Sequence, residues 1–197
     1  MVDLSERRHA KTKADIVTAA LAMFERDGYS RVTMEDIARV AGVSRRTVYR
    51  RFPTKDHIVL EVPKRWLSAW DGVVAGSPDA PPRAVAEAAA LAVARYIDDH
   101  IAEVLVAYTA IDQSLALVTA SAAANREWVE RIVGLVRREP GRLAPAMQHV
   151  IAGAYLGAID AMMAQWVVGG GRGSVLGTTK ALLERLAPIW PSAADQP

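Results

Sequence analysis

Four arginines fall within seven residues of the run Ser44–Arg45–Arg46–Thr47–Val48–Tyr49–Arg50–Arg51–Phe52. A guanidinium group offers a planar fork of donors that fits a phosphate or the edge of a guanine. The chemistry open to this run is therefore recognition of a polyanion. On a helix, Val48 and Phe52 fall on one side and Arg46, Thr47, Arg50 and Arg51 point away from it. Arg45 and Arg46 would occupy the first turn, where positive charge opposes the helix dipole. A sequence shaped only for stability places acids there, and an external polyanion resolves the conflict. The plain alternative is a solvated basic face on an ordinary small domain, and it is the capping pattern around the arginines that weighs against it.

Other chemistries find little to work with. The chain has no Cys, which removes disulfides, thiolate metal sites and a cysteine nucleophile. Its four histidines are scattered (His9, His57, His100, His149). There is no Gly-rich phosphate loop, nucleophile elbow or zinc-protease pattern, so the chain reads as a non-enzyme with no cofactor. Asp98, Asp99, His100 and Glu103 gather near an expected helix break, but such a group reads as a solvated cap, and no metal is expected.

The elements that position the arginines are legible from caps and spacing. Ile16, Ala20, Met23 and Phe24 recur as the stripe of an amphipathic helix over Ala10–Asp27. Gly28 follows as its stop, with Tyr29 placed to touch Phe24. Thr33 is an N-cap with Asp36 three residues on, and Val32 and Ile37 form a hydrophobic staple. That helix is short, because Gly42 follows Val40. Ser44 caps the next helix, with Val43 and Val48 as its staple, and Pro53 ends it. Thr54 caps a fourth. Two short helices joined by a tight turn around Ala41–Gly42–Val43 are the mark of a helix-turn-helix. The charge agrees: residues 1–60 carry twelve basic and eight acidic side chains, and the remainder twelve and fourteen.

The run from Ala14 to Val59 resembles the N-terminal domain of the TetR-type (tetracycline-repressor-like) regulators. The likeness rests on Phe24–x–x–x–Gly28, on Thr33 before Asp36–Ile37–Ala38, and on Ala41–Gly42–Val43–Ser44. It continues through Thr47–Val48–Tyr49 and Phe52–Pro53–Thr54–Lys55. The resemblance implies that Ser44 to Phe52, opened by Ser44, is the recognition helix in the major groove. It implies base-edge or nearby phosphate contacts from Arg45, Arg46, Thr47 and Arg50, with Arg46 and Thr47 favoured for bases. Backbone contacts would come from Tyr49, Lys55 and Thr33, and packing from Ala38 and Val48. Many family members have Gly where this chain has Arg46, so its operator need not resemble a familiar one.

The rest of the chain matches no motif. Thr54–Val74 reads as one helix, kinked at Pro63, a candidate hinge in the helix that joins the two domains of such regulators. A loop follows at residues 76–82. Arg83–Leu117 is too long for one helix and should break near Asp98–Asp99–His100. Ser121 or Asn125 should open another helix ending before Pro140–Gly141. Pro145–Val168 reads as a long helix, Gly169–Gly173 as a break, and Ser174–Ile189 as the last helix, with residues 191–197 frayed. The apolar stretches Ala84–Ala94 and Val150–Val168 read as buried helices and not membrane spans. The N-terminus is charged and lacks an apolar segment, so no signal peptide and a cytoplasmic location are expected.

These readings predict an all-α chain of about nine helices. Residues 1–54 form a three-helix helix-turn-helix DNA-binding domain, and residues 55–197 a helical effector-binding and dimerisation domain. Trp66, Trp70, Tyr108, Asp112, Trp128, Asp160 and Trp166 are candidate walls and anchors of a pocket for a small, largely apolar effector. The same residues also suit ordinary core packing. The resemblance implies that the last two helices build the interface of a homodimer on a double-stranded operator, and Gly153 and Gly157, four apart, allow close approach, although ordinary packing within the domain would suit them too. The primary reading is a ligand-responsive repressor of unidentified effector, released from a palindromic operator. A DNA-bound adaptor controlled by a protein partner is the rival, and an enzyme with a vestigial DNA module a distant third.

Overall fold

The computed structural model describes residues 4–140 and 143–190, with side chains from residue 7. Ten α-helices and two short 3₁₀ turns make up the described residues, with no strand among them. Gly141 and residues 191–197, where a turn and a frayed end are expected, lie outside them. By compactness the chain divides into two units. Met1–Lys64 and Ala102–Ser121 form the first, and Arg65–Ile101 with Ala122–Pro197 the second. The motif-based division at Thr54 marks off a shorter reader than this unit.

In the first unit α1 (Leu4–Asp27) starts upstream of the expected Ala10, since no Gly or Pro interrupts the sequence there. It packs against α2 (Met34–Val40) and α4 (Lys55–Val59), and α2 packs against α3 (Arg45–Arg51). Ile16, Val17, Ala20, Ile37, Val48, Phe52, Ile58 and Val59 are buried and form its core. Val32 and Ile37, the expected staple, are both buried. Gly28 stops α1 with φ 83°, and the Phe24 and Tyr29 rings meet edge to face at 5.2 Å.

The fourth expected helix is two. α4 ends at Val59, and α5 (Glu61–Gly76) begins after Leu60. Pro63 has no N–H to donate to the Val59 carbonyl, so the chain breaks one turn earlier and Pro63 sits in the first turn of α5, where a missing donor costs nothing. The kink expected at Pro63 is thus a break at Leu60. Counting α4 and α5 as one recovers the nine helices expected.

In the second unit α6 (Pro82–Asp99) is followed, after His100, by α7 (Ile101–Asp112) and α8 (Leu115–Val136), which belong partly to the first. α8 opens at Leu115, not at Ser121 or Asn125. Ser114 caps it, its hydroxyl accepting from the Leu117 N–H at 3.3 Å. α9 (Pro145–Val168) has the bounds expected, and α10 (Val175–Leu186) packs on α6 and α9. The core gathers Trp70, Val85, Ala89, Val133, Val136, Ala152, Tyr155 and Leu183. On α10 the buried seam is Val175, Thr179 and Leu183.

Asp98, at the end of α6, caps α10 from a distant part of the chain. Its carboxylate accepts from the Ser174 hydroxyl (2.6 Å), the Val175 N–H (2.7 Å) and the Leu176 N–H (3.1 Å). Burial pushes its pKa up, but the hydrogen bonds from Ser174, Leu176 and Val175 outweigh it, and the net shift is downward. Asp98→Ala is therefore expected to cost about 0.5–2 kcal/mol, as the loss of an N-cap does. Because the folded pKa is depressed, Asp98's contribution is complete above the ordinary carboxylate pKa and is lost as pH falls through the folded value. Urea unfolding of wild type and variant between neutral and acid pH should show the difference shrinking below about pH 4. A difference that is constant with pH would mean that the cap is not ionic.

Candidate nucleic-acid interface

The turn between α2 and α3 is set by backbone chemistry. The Val43 N–H donates to the Ala38 carbonyl at 3.0 Å and the Gly42 N–H to Arg39 at 3.3 Å, the paired bonds of a Schellman stop. Gly42 has φ 66°, and a Cβ there would meet nothing within 4 Å. Glycine is needed at this position for its backbone freedom alone.

The caps on either side are complete. Thr33 and Asp36 form a reciprocal capping box, with the Thr33 hydroxyl also donating to the Asp36 carboxylate at 2.6 Å. Hydrogen bonds from the Thr33 side chain, Arg39 and the Thr33 backbone hold the Asp36 carboxyl below its ordinary pKa. The Ser44 hydroxyl accepts from the Thr47 N–H at 3.1 Å and lies 2.8 Å from the Thr47 hydroxyl. Val48 and Phe52 are buried, and this turns the opposite side of α3 outward. Arg45, Arg46, Tyr49 and Arg50 are exposed there, with Thr47 and Arg51 partly covered.

The exposed arginines are not equivalent. Arg45 forms an ion pair with Glu35 on α2, and the Tyr49 hydroxyl donates to the same Glu35 carboxylate at 3.3 Å. Arg46 and Arg50 make no ion pair among the described residues. Lys55 has taken an internal role. Its ammonium donates to the carbonyls of Tyr29 (2.7 Å), Val32 (3.3 Å) and Ser30 (3.4 Å), and lies 4.2 Å from the centre of the Tyr29 ring. Burial lowers its pKa. The Tyr29 hydroxyl donates to Asp56 beside it. A phosphate contact from Lys55 would therefore compete with three carbonyls.

Glu35 and Asp56 escaped the sequence reading. Glu35 lies ten residues from Arg45 and fourteen from Tyr49, and no local period links positions across a turn of this kind. An acid two residues past an N-cap reads as a dipole partner and nothing more.

The candidate effector residues fall into separate groups. Tyr108 and Asp112 lie on α7 within the first unit, and Asp112 is exposed at the helix end. Trp66, Trp70, Trp128, Asp160 and Trp166 belong to the second. There the Trp70 and Trp128 rings meet edge to face at 5.7 Å. The Trp166 indole N–H donates to the Gly173 carbonyl at 3.0 Å, and Asn125 donates to Asp160 at 3.1 Å. Loss of hydration raises the Asp160 pKa against that hydrogen bond, although the residue lies on the outward side of α9. Trp66, Trp70 and Trp166 are buried. Asp98 is taken up by its distant cap on α10, and His100 by a local contact, stacking on Tyr96 with ring centres 4.0 Å apart.

Within the first unit a half-open cavity of about 250 Å³ lies between the end of α1 and α7. Phe24, Glu25, Tyr29, Leu105, Val106, Thr109, Ala110 and Gln113 line it, none of them among the candidates above.

α9 differs from the buried helix expected. By length and composition it is apolar enough to cross a membrane, and a third (33%) of its most apolar window is buried. Val150, Gly153, Ala154, Gly157, Ala161, Ala164 and Val168 lie exposed along its outward side.

An all-helical chain that turns a capped, arginine-bearing second helix outward from a helix-turn-helix has the architecture of a DNA-binding regulator. Residues 16–62 match the family described as bacterial regulatory proteins, tetR family. The chain is 32% identical over 88 residues to the HTH-type transcriptional regulator EthR of Mycolicibacterium smegmatis, a match covering 40% of this chain and 41% of EthR. Such matches span 26% and 41% of the curated relatives' own length. Likeness in fold extends much further. NalD, the secondary repressor of the MexAB-OprM multidrug efflux pump in Pseudomonas aeruginosa, superposes with a TM-score of 0.71 at 21% identity, over 94% of this chain and 98% of NalD. FadR of Thermus thermophilus, a repressor solved with lauroyl-CoA, does so with a TM-score of 0.63 at 19% identity, over 91% of this chain and 95% of FadR. Residues 16–62 thus resemble the tetR family of bacterial regulatory proteins, and over the rest of the chain the likeness is one of fold.

Proposed function

We propose that this protein is a homodimeric transcriptional repressor that reads a two-fold-symmetric operator through α3 and leaves it when a small, largely apolar ligand binds the helical domain. The observation that carries the reading is the outer face of α3, where Arg46 and Arg50 stand exposed, with no ion pair among the described residues, beside a fully capped turn. Unpaired guanidinium groups on a rigid helix suit major-groove edges and phosphates. The outward stripe of small and apolar residues on α9 suits close approach of a second copy, which would set the spacing of two readers. FadR was solved with lauroyl-CoA, whose acyl chain is apolar, and this supports the apolar part of the ligand by analogy. Release then requires that the ligand bind the operator-competent state more weakly than the other.

The test is a gel shift of the purified chain on the DNA upstream of its own coding sequence, with the Arg46→Ala/Thr47→Ala variant as control. Sequence-selective binding that the control loses supports the reading. Binding that is absent, or equal in wild type and control, sinks either the autoregulatory site or the choice of contacts, and selection from random DNA separates the two. The α9 stripe would also suit a different protein as partner. Light scattering decides, since a monomer at micromolar concentration would favour the adaptor.

A further inference from the structure

The ion pair between Glu35 and Arg45 places an acid on the face of a reader that should attract a polyanion. Glu35 sits in the first turn of α2, and Arg45 reaches it across the α2–α3 turn. Tyr49, one helical turn beyond Arg45, donates to the same carboxylate at 3.3 Å. One partly exposed acid thus holds two of the outward side chains of α3, while Arg46 and Arg50 hold no acid among the described residues. Asp36, its neighbour, is occupied by Thr33 and Arg39, so it does not substitute for Glu35.

We infer that Glu35 is a specificity-determining residue of the DNA reader. It holds Arg45 and Tyr49 as an intramolecular stand-in for phosphate, so that neither adds to the sequence-independent attraction. The inference rests on the function proposed above. Non-specific binding is driven almost wholly by cations meeting phosphates, whatever the sequence. An arginine already paired with a carboxylate adds little to that attraction until the pair is broken. A matched site is held by base contacts from Arg46 and can leave the pair intact, whereas an unmatched site offers only phosphates and loses the contact that a free Arg45 would make. Glu35 therefore lowers non-specific affinity more than specific affinity, and so acts as a repulsive element that separates right from wrong partners.

Glu35→Gln keeps the shape of the side chain and an acceptor for Tyr49 while removing the charge. The variant, Arg45→Ala and the double variant are titrated against the upstream duplex and a random-sequence duplex of the same length, over a range of salt concentrations. For Glu35→Gln the expected results are a rise in affinity for the random duplex of about tenfold, a smaller rise for the upstream duplex, and a salt dependence steeper by about one released cation, as one newly engaged phosphate requires. In the Arg45→Ala background the same substitution should raise affinity for both duplexes alike, because only the repulsion of the carboxylate is removed and there is no cation to free. An unchanged salt slope in Glu35→Gln, or a loss of selectivity that persists without Arg45, overturns the assignment. Equal weakening on both duplexes also overturns it, since that is the mark of a residue that only props α2. The wild-type chain separates this failure from failure of the function itself: wild type that prefers no sequence sinks the repressor reading, whereas selective wild type with an unaltered Glu35→Gln sinks Glu35 alone.

Discussion

Replacing Arg46 and Arg50 together by alanine is expected to weaken binding to a selected DNA site at least about thirtyfold while leaving helical content and unfolding unchanged. Each bidentate arginine–base contact contributes about 1–3 kcal/mol of discrimination. Two lost together amount to about 2 kcal/mol or more, and 1.4 kcal/mol is a factor of ten. The two side chains lie one helical turn apart on the same exposed face, so their effects need not add, and the single variants should be measured beside the double. The fold should tolerate the change, because neither residue is buried and neither holds an acid among the described residues. Circular dichroism and fluorescence-anisotropy titration check both halves. Intact selectivity in the double variant would remove Arg46 and Arg50 from base recognition and move the search to Arg45 and Thr47.

Trp70→Ala should cost about 3–5 kcal/mol of stability, the range found for large aromatic truncations in a packed interior. Trp70 is 5% exposed and sits in the core with Val85, Ala89 and Val133. Its ring also meets Trp128 edge to face at an interplanar angle of 88°, a favourable arrangement that alanine cannot make. Urea unfolding at one fixed protein concentration is the measurement, since the stability of the proposed dimer would depend on concentration. Trp70→Phe, which retains a ring, should lose distinctly less. A loss within about 0.5 kcal/mol, as at ordinary surface positions, would overturn the core assignment and return Trp70 to the wall of an open effector site.

Most of the reader was legible from residues alone. Thr33, Gly42, Ser44 and Pro53 act through their own backbones or through groups three residues away, and such effects survive in any sufficiently short segment. The burial of Val48 and Phe52 followed from helical period, and with it the outward direction of the arginines. Local chemistry likewise placed the bounds of α9 and the break at His100.

Tertiary structure decided what depends on long loops in the chain. Glu35 meets Arg45 only because the Gly42 turn folds α3 back on α2, and Lys55 meets the Tyr29 carbonyl across 26 residues. Asp98 finds the N-terminus of α10 across 77 residues. No spacing rule foretells such pairs, since their partners are selected by packing and not by period. The same holds for the helix from Thr54, where an absent donor at Pro63 was visible in sequence but the place of the break, Leu60, depended on where the chain could turn while keeping Ile58 and Val59 buried. Type and cap are properties of a segment. Pairing and exposure are properties of the whole fold, and on α3 it is pairing that divides one set of outward arginines into one held and two free.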